Sequence, residues 1–182
     1  MMKTKIILAT MLCSSFAQAV FAGPRVGMTL VGTPSMTLTS AQAAAAEKTA
    51  THGIVSADQK MLTYHQRLVR LVIRSGPAND MLSYRIEGLR NPTLVVPAGT
   101  TLKALFINMD DDMMHNLRLR VQKMPLKGTM KSAGTTNLPH KSVNLTYAEV
   151  LTVHLPMAGM YTYLCTVPGH APGGMFGTLI VR

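Results

Sequence analysis

The segment from Tyr161 to Val181 constrains this chain more than any other, because it sets a thiol, an imidazole and a thioether at fixed spacing between two strand-like runs. Four residues separate Cys165 from His170, and four more separate His170 from Met175. Pro168 and Pro172 stiffen the intervening loop, while Gly169, Gly173 and Gly174 let it turn tightly. Such a loop can curl around one soft metal ion. A fourth ligand must come from elsewhere, and His115 is the natural candidate. It closes the run Asp-Asp-Asp-Met-Met-His115, follows one strand-like stretch and precedes another, Leu117 to Val121. Two imidazoles and a thiolate in a trigonal plane, with a weak axial methionine, form the ligand set of a blue-copper site. Copper is therefore the expected cofactor, one ion, held by His115, Cys165, His170 and Met175.

The cysteine count supports the same reading by a different route. The chain has two cysteines, and Cys13 lies in an apolar N-terminal stretch. A domain lacking that stretch holds one thiol and no intramolecular disulfide. A lone thiol in an exported protein is open to oxidation unless something occupies it, and a bound metal does so.

Met1 to Lys5 forms a short basic head, and Ile6 to Ala22 is apolar, ending in small residues with cleavage patterns after Ala19 and Ala22. This reads as a secretory signal, with an uncleaved membrane anchor as the competing reading. Export to the periplasm is expected. Residues 23–55, rich in Thr, Ser, Ala and Gly, read as a linker or extension in which Ala43 to Ala46 form a short helix. Residues 56–182 are the expected folded domain, opening with a helix of two to three turns at the capping-box pattern Ser56 to Gln59. From Arg67 to Arg74 the sequence alternates, with Val69, Leu71 and Ile73 on one face. Further strands are expected at 82–87, 93–96, 101–108, 116–121, 145–154, 161–165 and 176–181, with Gly and Pro between them. Seven or eight short strands broken by turn residues argue for an all-β sandwich. Residues 126–142 read as a polar excursion over the surface.

Lys and Arg number 18 against 8 Asp and Glu. A basic surface suits nucleic acid, an anionic membrane or an acidic protein patch. Scattered basic residues, the absence of Trp and the lack of any nucleic-acid motif exclude the first. Few carboxylates also leave little to be protonated on acidification, which suits an acidic compartment.

Each site residue has a plainer reading taken alone: Cys165 as a small core residue, His170 as a polar loop residue, Met175 as a core plug. The shared spacing and the upstream His-Asn pair favour the metal. His52, His65, His140 and His154 show no partner spacing and read as surface or strand histidines. Met109, Met113, Met114, Met157 and Met160 read as apolar filling around the loops near copper. Asp110 to Asp112 reads as a solvated turn, with a contact for a basic partner as the sharper alternative.

The stretches Asn91-Pro-Thr-Leu-Val-Val-Pro-Ala-Gly-Thr-Thr-Leu, Phe106-Ile-Asn and Ala158-Gly-Met-Tyr-Thr-Tyr-Leu-Cys165-Thr-Val-Pro-Gly-His170-Ala-Pro-Gly-Gly-Met175-Phe-Gly resemble the cupredoxins, and among them most closely the rusticyanins. The resemblance is strong over 91–121 and 155–182 and absent from the N-terminal third. It implies a cupredoxin-like Greek-key β-sandwich, here with a short N-terminal helix and extension. It also implies a periplasmic electron carrier of acid-tolerant, iron- or sulfur-oxidising bacteria, working between c-type cytochromes and a terminal oxidase, with the four ligands named above. One position departs from the pattern: rusticyanins place serine directly after the first histidine ligand, whereas Asn116 stands here, as in plastocyanins and azurins. An amide at that position is placed to reach Thr166, directly after Cys165, and so to tie together the two segments that carry ligands.

No small-molecule substrate and no enzymatic activity are expected. A copper-handling or oxidase-assembly role is the rival reading, suggested by the fifteen methionines. Methionine-only sites bind Cu(I) exchangeably, whereas a thiolate with two histidines holds copper in both oxidation states. A multicopper enzyme fails on counting, since the chain has no His-x-His pair.

Overall fold

The computed structural model of the chain describes residues 29–32, 35–123 and 133–182. The apolar leader with Cys13, and residues 126–132 of the expected surface excursion, lie outside that set. In chain order the elements are β1 (Thr29–Gly32), β2 (Met36–Leu38), α1 (Ser40–Lys48), β3 (Ile54–Val55), β4 (Met61–Thr63), β5 (Leu68–Ser75), β6 (Tyr84–Ile86) and β7 (Leu89–Arg90). They continue with β8 (Thr93–Val96), β9 (Thr100–Asn108), β10 (Arg118–Lys123), β11 (Ala133–Gly134), β12 (Thr146–Leu155), β13 (Gly159–Leu164) and β14 (Phe176–Val181).

Two sheets form. One runs β1-β12-β9-β5-β6-β7 with β2 also paired to β12; the other runs β11-β10-β13-β14-β8-β4-β3. Most neighbours are antiparallel. The exceptions are β5 on β9, β14 on β8 and β4 on β8. The β8 and β14 pairing sets the last strand of the chain beside a strand from its middle, so the hairpin that carries Cys165 is locked into the body of its sheet.

The alternation seen in the sequence decides which faces meet. Val69, Leu71 and Ile73 of β5 turn inward with Leu102, Ala104 and Phe106 of β9 and Leu151, Val153 and Leu155 of β12. Against them the second sheet sets Leu62, Leu94, Val96, Tyr161, Tyr163, Leu179 and Val181. Burying such side chains stabilises the sandwich by roughly 1.5–3 kcal/mol for each large aliphatic one, relative to leaving it in water. Tyr84 lies between Phe106 and Tyr163, at ring-centroid distances of 5.9 and 5.6 Å. Both buried hydroxyls find acceptors: Tyr84 donates to the Asn116 carbonyl and Tyr163 to the Pro92 carbonyl, each at 2.5 Å.

All eight expected strand segments contain a strand. The six others, β1 to β4, β7 and β11, have only two to four residues each, too few for a period to show in the sequence. The expected helix at Ala43 to Ala46 is longer, Ser40–Lys48, and starts at Thr39. The Gln42 N–H donates to the Thr39 hydroxyl, and the Gln42 side-chain oxygen accepts the Thr39 N–H at 2.8 Å. Ala43 packs on Ile107 and Ala148, fixing this helix to the outer face of the first sheet. Much of 29–55 therefore pairs with or packs against the sandwich.

The helix expected from Ser56 is not formed. Ser56 to Gln59 instead make the turn between β3 and β4. The Ser56 hydroxyl accepts the Met61 N–H at 3.0 Å, the Asp58 carboxylate accepts the Lys60 N–H at 3.2 Å, and Gln59 sits at φ 54°. Ser and Asp side chains can bind nearby backbone in a turn as readily as they cap a helix, and here the turn wins because Leu62 beyond it is fully buried.

Residues 133–142 also depart from a surface excursion. Ala133, Thr135 and Leu138 are buried, β11 pairs with β10, and Leu138 makes a two-way backbone bridge to His115.

Candidate metal centre

The turn between β13 and β14 is built almost wholly from its own backbone. The Cys165 N–H donates to the Met175 carbonyl at 3.1 Å, the His170 N–H to the Val167 carbonyl at 3.1 Å, and the Met175 N–H to the His170 carbonyl at 3.0 Å. Gly169 and Gly174 take φ of 86° and 110°, conformations that a side chain would strain. The loop thus returns on itself, and Cys165 and Met175 end side by side at the mouth of the hairpin.

His115 comes from the connection between β9 and β10. Its N–H donates to the Leu138 carbonyl at 3.1 Å and its carbonyl accepts the Leu138 N–H at 2.8 Å. Upstream, Asn108 organises the approach. Its amide nitrogen donates to the carbonyls of Met113, Leu138 and Pro139, while its oxygen accepts the Ser75 hydroxyl and the Asp110 N–H.

These constraints bring three donor atoms together. His115 Nδ1 lies 3.1 Å from His170 Nδ1 and 4.0 Å from Cys165 Sγ, and Sγ lies 3.5 Å from His170 Nδ1. His115, Cys165 and Met175 are fully buried and His170 is 7% exposed. Burial pushes the Cys165 thiol above its ordinary value, against the opposing pull of the N–H groups of Asn116 and Val167. Burial, and then the neighbouring His115, push His170 below its ordinary value and keep it neutral. Two buried imidazoles beside a thiol reluctant to ionise are a donor set that a cation completes, because the metal supplies the charge the thiolate needs.

The tautomer agrees. His115 Nε2 meets the Asp110 carboxylate at 2.9 Å, so Nε2 carries the proton and Nδ1 offers its lone pair to the site. The donor types, soft sulfur with two imidazoles, fit copper.

The expected tie between Asn116 and Thr166 is present. The Asn116 amide nitrogen donates to Thr166 Oγ1 at 3.0 Å, and its oxygen accepts the Thr166 N–H at 2.9 Å. The same amide donates to Asn137 at 2.6 Å, and the Asn116 backbone N–H points at Cys165 Sγ at 3.5 Å.

Over residues 80–182, more than half of its length, the chain matches the copper binding proteins of the plastocyanin/azurin family. The protein is a cupredoxin. It is 34% identical over 128 residues to rusticyanin of Acidithiobacillus ferrooxidans, spanning 66% of this chain and 81% of that one. Rusticyanin of Acidithiobacillus ferridurans is 33% identical over 137 residues, 71% of each chain. Among solved structures, rusticyanin from Thiobacillus ferrooxidans superposes with a TM-score of 0.70 at 30% identity, covering 82% of this chain and 98% of that one. Reduced rusticyanin superposes with a TM-score of 0.69 at 29% identity, covering 81% and 99%. The cupredoxin is thus a rusticyanin-like copper electron-transfer protein, and it is not an enzyme.

Several other residues take places different from those expected. Asp110 is not solvated: it is 5% exposed and bonded to His115, whereas Asp111 and Asp112 do face water. Nothing in an Asp-Asp-Asp run distinguishes its first member, although the offset of five residues from a proposed ligand was a usable signal. Asn108, Ser75 and Leu138 were likewise missed. Met157 lies just before β13 and Met160 at its start, the opposite end of that strand from Cys165, and Met160 is 40% exposed, so they do not fill the copper loops. Met109 and Met113 are partly buried, and Met114 is half exposed. His52, His65, His140 and His154 are all exposed, as expected.

Proposed function

We propose that this cupredoxin carries single electrons between c-type cytochromes and a terminal oxidase in the periplasm of an acid-adapted bacterium, with residues 1–22 directing export and 56–182 forming the functional domain. The observation that carries the reading is the convergence of His115 Nδ1, His170 Nδ1 and Cys165 Sγ in a buried cluster on two separately anchored segments. These three, with the Met175 thioether, are the residues that would hold copper. Copper bound there supplies a one-electron couple and an intense charge-transfer absorption.

The chain's own residues do the rest. The bonded loop 165–175 and the Asn116 tie keep the donors in one arrangement whichever oxidation state is present, which lowers the rearrangement each transfer requires. Full burial of His115, Cys165 and Met175 excludes water. His170 is the one donor that reaches the surface, bordered in sequence by Ala171 and Pro172. Met175 is fully buried, but Phe176 directly after it and Met114 directly before His115 are each half exposed and extend the apolar rim. Electron-carrier contacts of this kind are small, below about 1,200 Å² in total, and brief.

The test is electron transfer between the copper-loaded full chain and a c-type cytochrome or a terminal oxidase, for the parent and for Ala171→Asp. The reading expects rapid exchange by the parent and a slower rate for the variant with an unchanged visible spectrum. Equal rates would contradict the docking face. Copper passed to the partner in place of electrons would favour the copper-handling alternative.

A further inference from the structure

Asp110 is the one carboxylate among the described residues that reaches a proposed copper ligand. Its Oδ2 meets His115 Nε2 at 2.9 Å, while its Oδ1 accepts the N–H groups of Asp112 at 2.8 Å and Met113 at 3.0 Å. Those two bonds fix the carboxylate from the side away from the imidazole. The backbone is held as well: the Asp110 N–H donates to Asn108 Oδ1, and its carbonyl accepts the Lys141 N–H at 2.7 Å. The group is 5% exposed, and His115 is the one basic side chain that meets its carboxylate among the described residues. The neighbouring Asp111 differs on every count: its side chain is 62% exposed and paired with the Lys141 ammonium at 2.6 Å.

This arrangement has two physical consequences. A carboxylate that accepts the Nε2 proton decides the tautomer and so directs the Nδ1 lone pair at Cys165 and His170. The outer partner of a ligating histidine also raises its basicity. A full negative charge does this more strongly than a neutral acceptor, and in a buried site its field is weakly screened. That field favours the more positive oxidation state of the metal. The bonds from His115 and from the N–H groups of Asp112 and Met113 all favour the ionised carboxylate over its protonated form.

We propose that Asp110 is a positioning residue for the copper couple: it orients His115 and, through its charge, biases the site toward the oxidised state, setting the reduction potential lower than a neutral partner in its place would give. The inference rests on the electron-carrier reading. It extends that reading from the four ligands to the residue that tunes one of them.

The experiment is a redox titration of the copper-loaded full chain, comparing the parent with Asp110→Asn and Asp111→Asn. The amide keeps an oxygen for the N–H groups of Asp112 and Met113, but its nitrogen takes the place of Oδ2 and cannot accept the His115 Nε2 proton, so the charge and the bond to His115 are removed together. The second variant removes the same charge from an exposed neighbour. Asp110→Asn is expected to favour the reduced form at least tenfold, about 59 mV upward for one electron, with the visible band retained. Asp111→Asn is expected to change the ratio less than twofold. A shift in Asp110→Asn no larger than that of Asp111→Asn overturns the proposal. If Asp110→Asn fails to fold or load, the parent decides: nitrogen NMR of the reduced protein should show His115 protonated at Nε2, and a proton at Nδ1 overturns the proposal. A parent with no visible band and no one-electron couple refutes the carrier reading and this inference with it. A normal parent with an unshifted Asp110→Asn refutes this inference alone.

Discussion

Asn116 grips Thr166 at two points, donating to its hydroxyl at 3.0 Å and accepting its backbone N–H at 2.9 Å, so that the residues directly after His115 and Cys165 are fastened to each other. The segments involved are about fifty residues apart in sequence. Asn116→Ser removes both bonds and the one to Asn137 while leaving the Asn116 backbone N–H facing Sγ. The expected outcome is a higher reduction potential, in the direction of the rusticyanins that carry serine here, with the ligands unchanged. Stability should fall by about 1–3 kcal/mol as buried partners lose their bonds. Redox titration and denaturant unfolding check both; an identical potential contradicts the role given to the tie.

Gly177 lies opposite Tyr163 on β14, and a side-chain carbon there would stand 2.2 Å from the Tyr163 ring. Tyr163 cannot yield easily, since it is buried against Tyr84 and bonded to the Pro92 carbonyl. Gly177→Ala should therefore destabilise the fold by roughly 1–3 kcal/mol, the usual cost of overpacking. Because Tyr163 lies two residues before Cys165, the visible band should broaden or shift as well. An alanine variant as stable as the parent, by thermal or denaturant unfolding, contradicts this packing account.

Asp80 is held below its ordinary value of 3.8 chiefly by its bond from Arg90, against the opposing effect of burial, with Ser83 and Arg85 assisting. A carboxylate lowered on folding contributes stability that is present above its unfolded value and is lost as the pH falls through its folded one. The stability difference between the parent and Asp80→Asn should thus be constant from pH 7 to about 5 and shrink below pH 4. Its size should stay near or under about 1 kcal/mol, because Arg90 and Arg85 are partly solvated. Unfolding at several pH values measures it, and a difference that grows on acidification has the wrong sign. With eight acidic residues in the whole chain, few such contributions exist to be lost in acid.

The ligands in the β13–β14 loop were legible because Cys165, His170 and Met175 sit close in sequence, so spacing alone implied a common centre. His115 was legible as a histidine between two strand patterns, and Asn116 as the amide beside it. Asp110 was not, because its burial depends on Asn108, Leu138 and Lys141, contacts that form only when the 133–142 segment folds under the site. That segment read as polar surface, and its composition does not show that Leu138 bridges His115. Ser56 misled for a related reason. A serine with nearby acidic and amide residues serves a helix start or a hairpin turn equally well, and the decision lay with Leu62 and its pairing to Leu94. The long strands were readable because their alternation extends over six to ten residues, whereas β3, β7 and β11, at two residues each, are defined only by their neighbours.

The most direct test of the account is the visible absorption spectrum of the copper-loaded full chain beside that of Cys165→Ser. Only a thiolate bound to copper gives an intense charge-transfer band, and Cys165 is the one free cysteine among the described residues. The account predicts a strong band for the parent that disappears on reduction and is abolished in Cys165→Ser. A parent without the band, or a serine variant that keeps it near the same wavelength, would contradict the claim that Cys165, His115 and His170 form a type 1 copper centre.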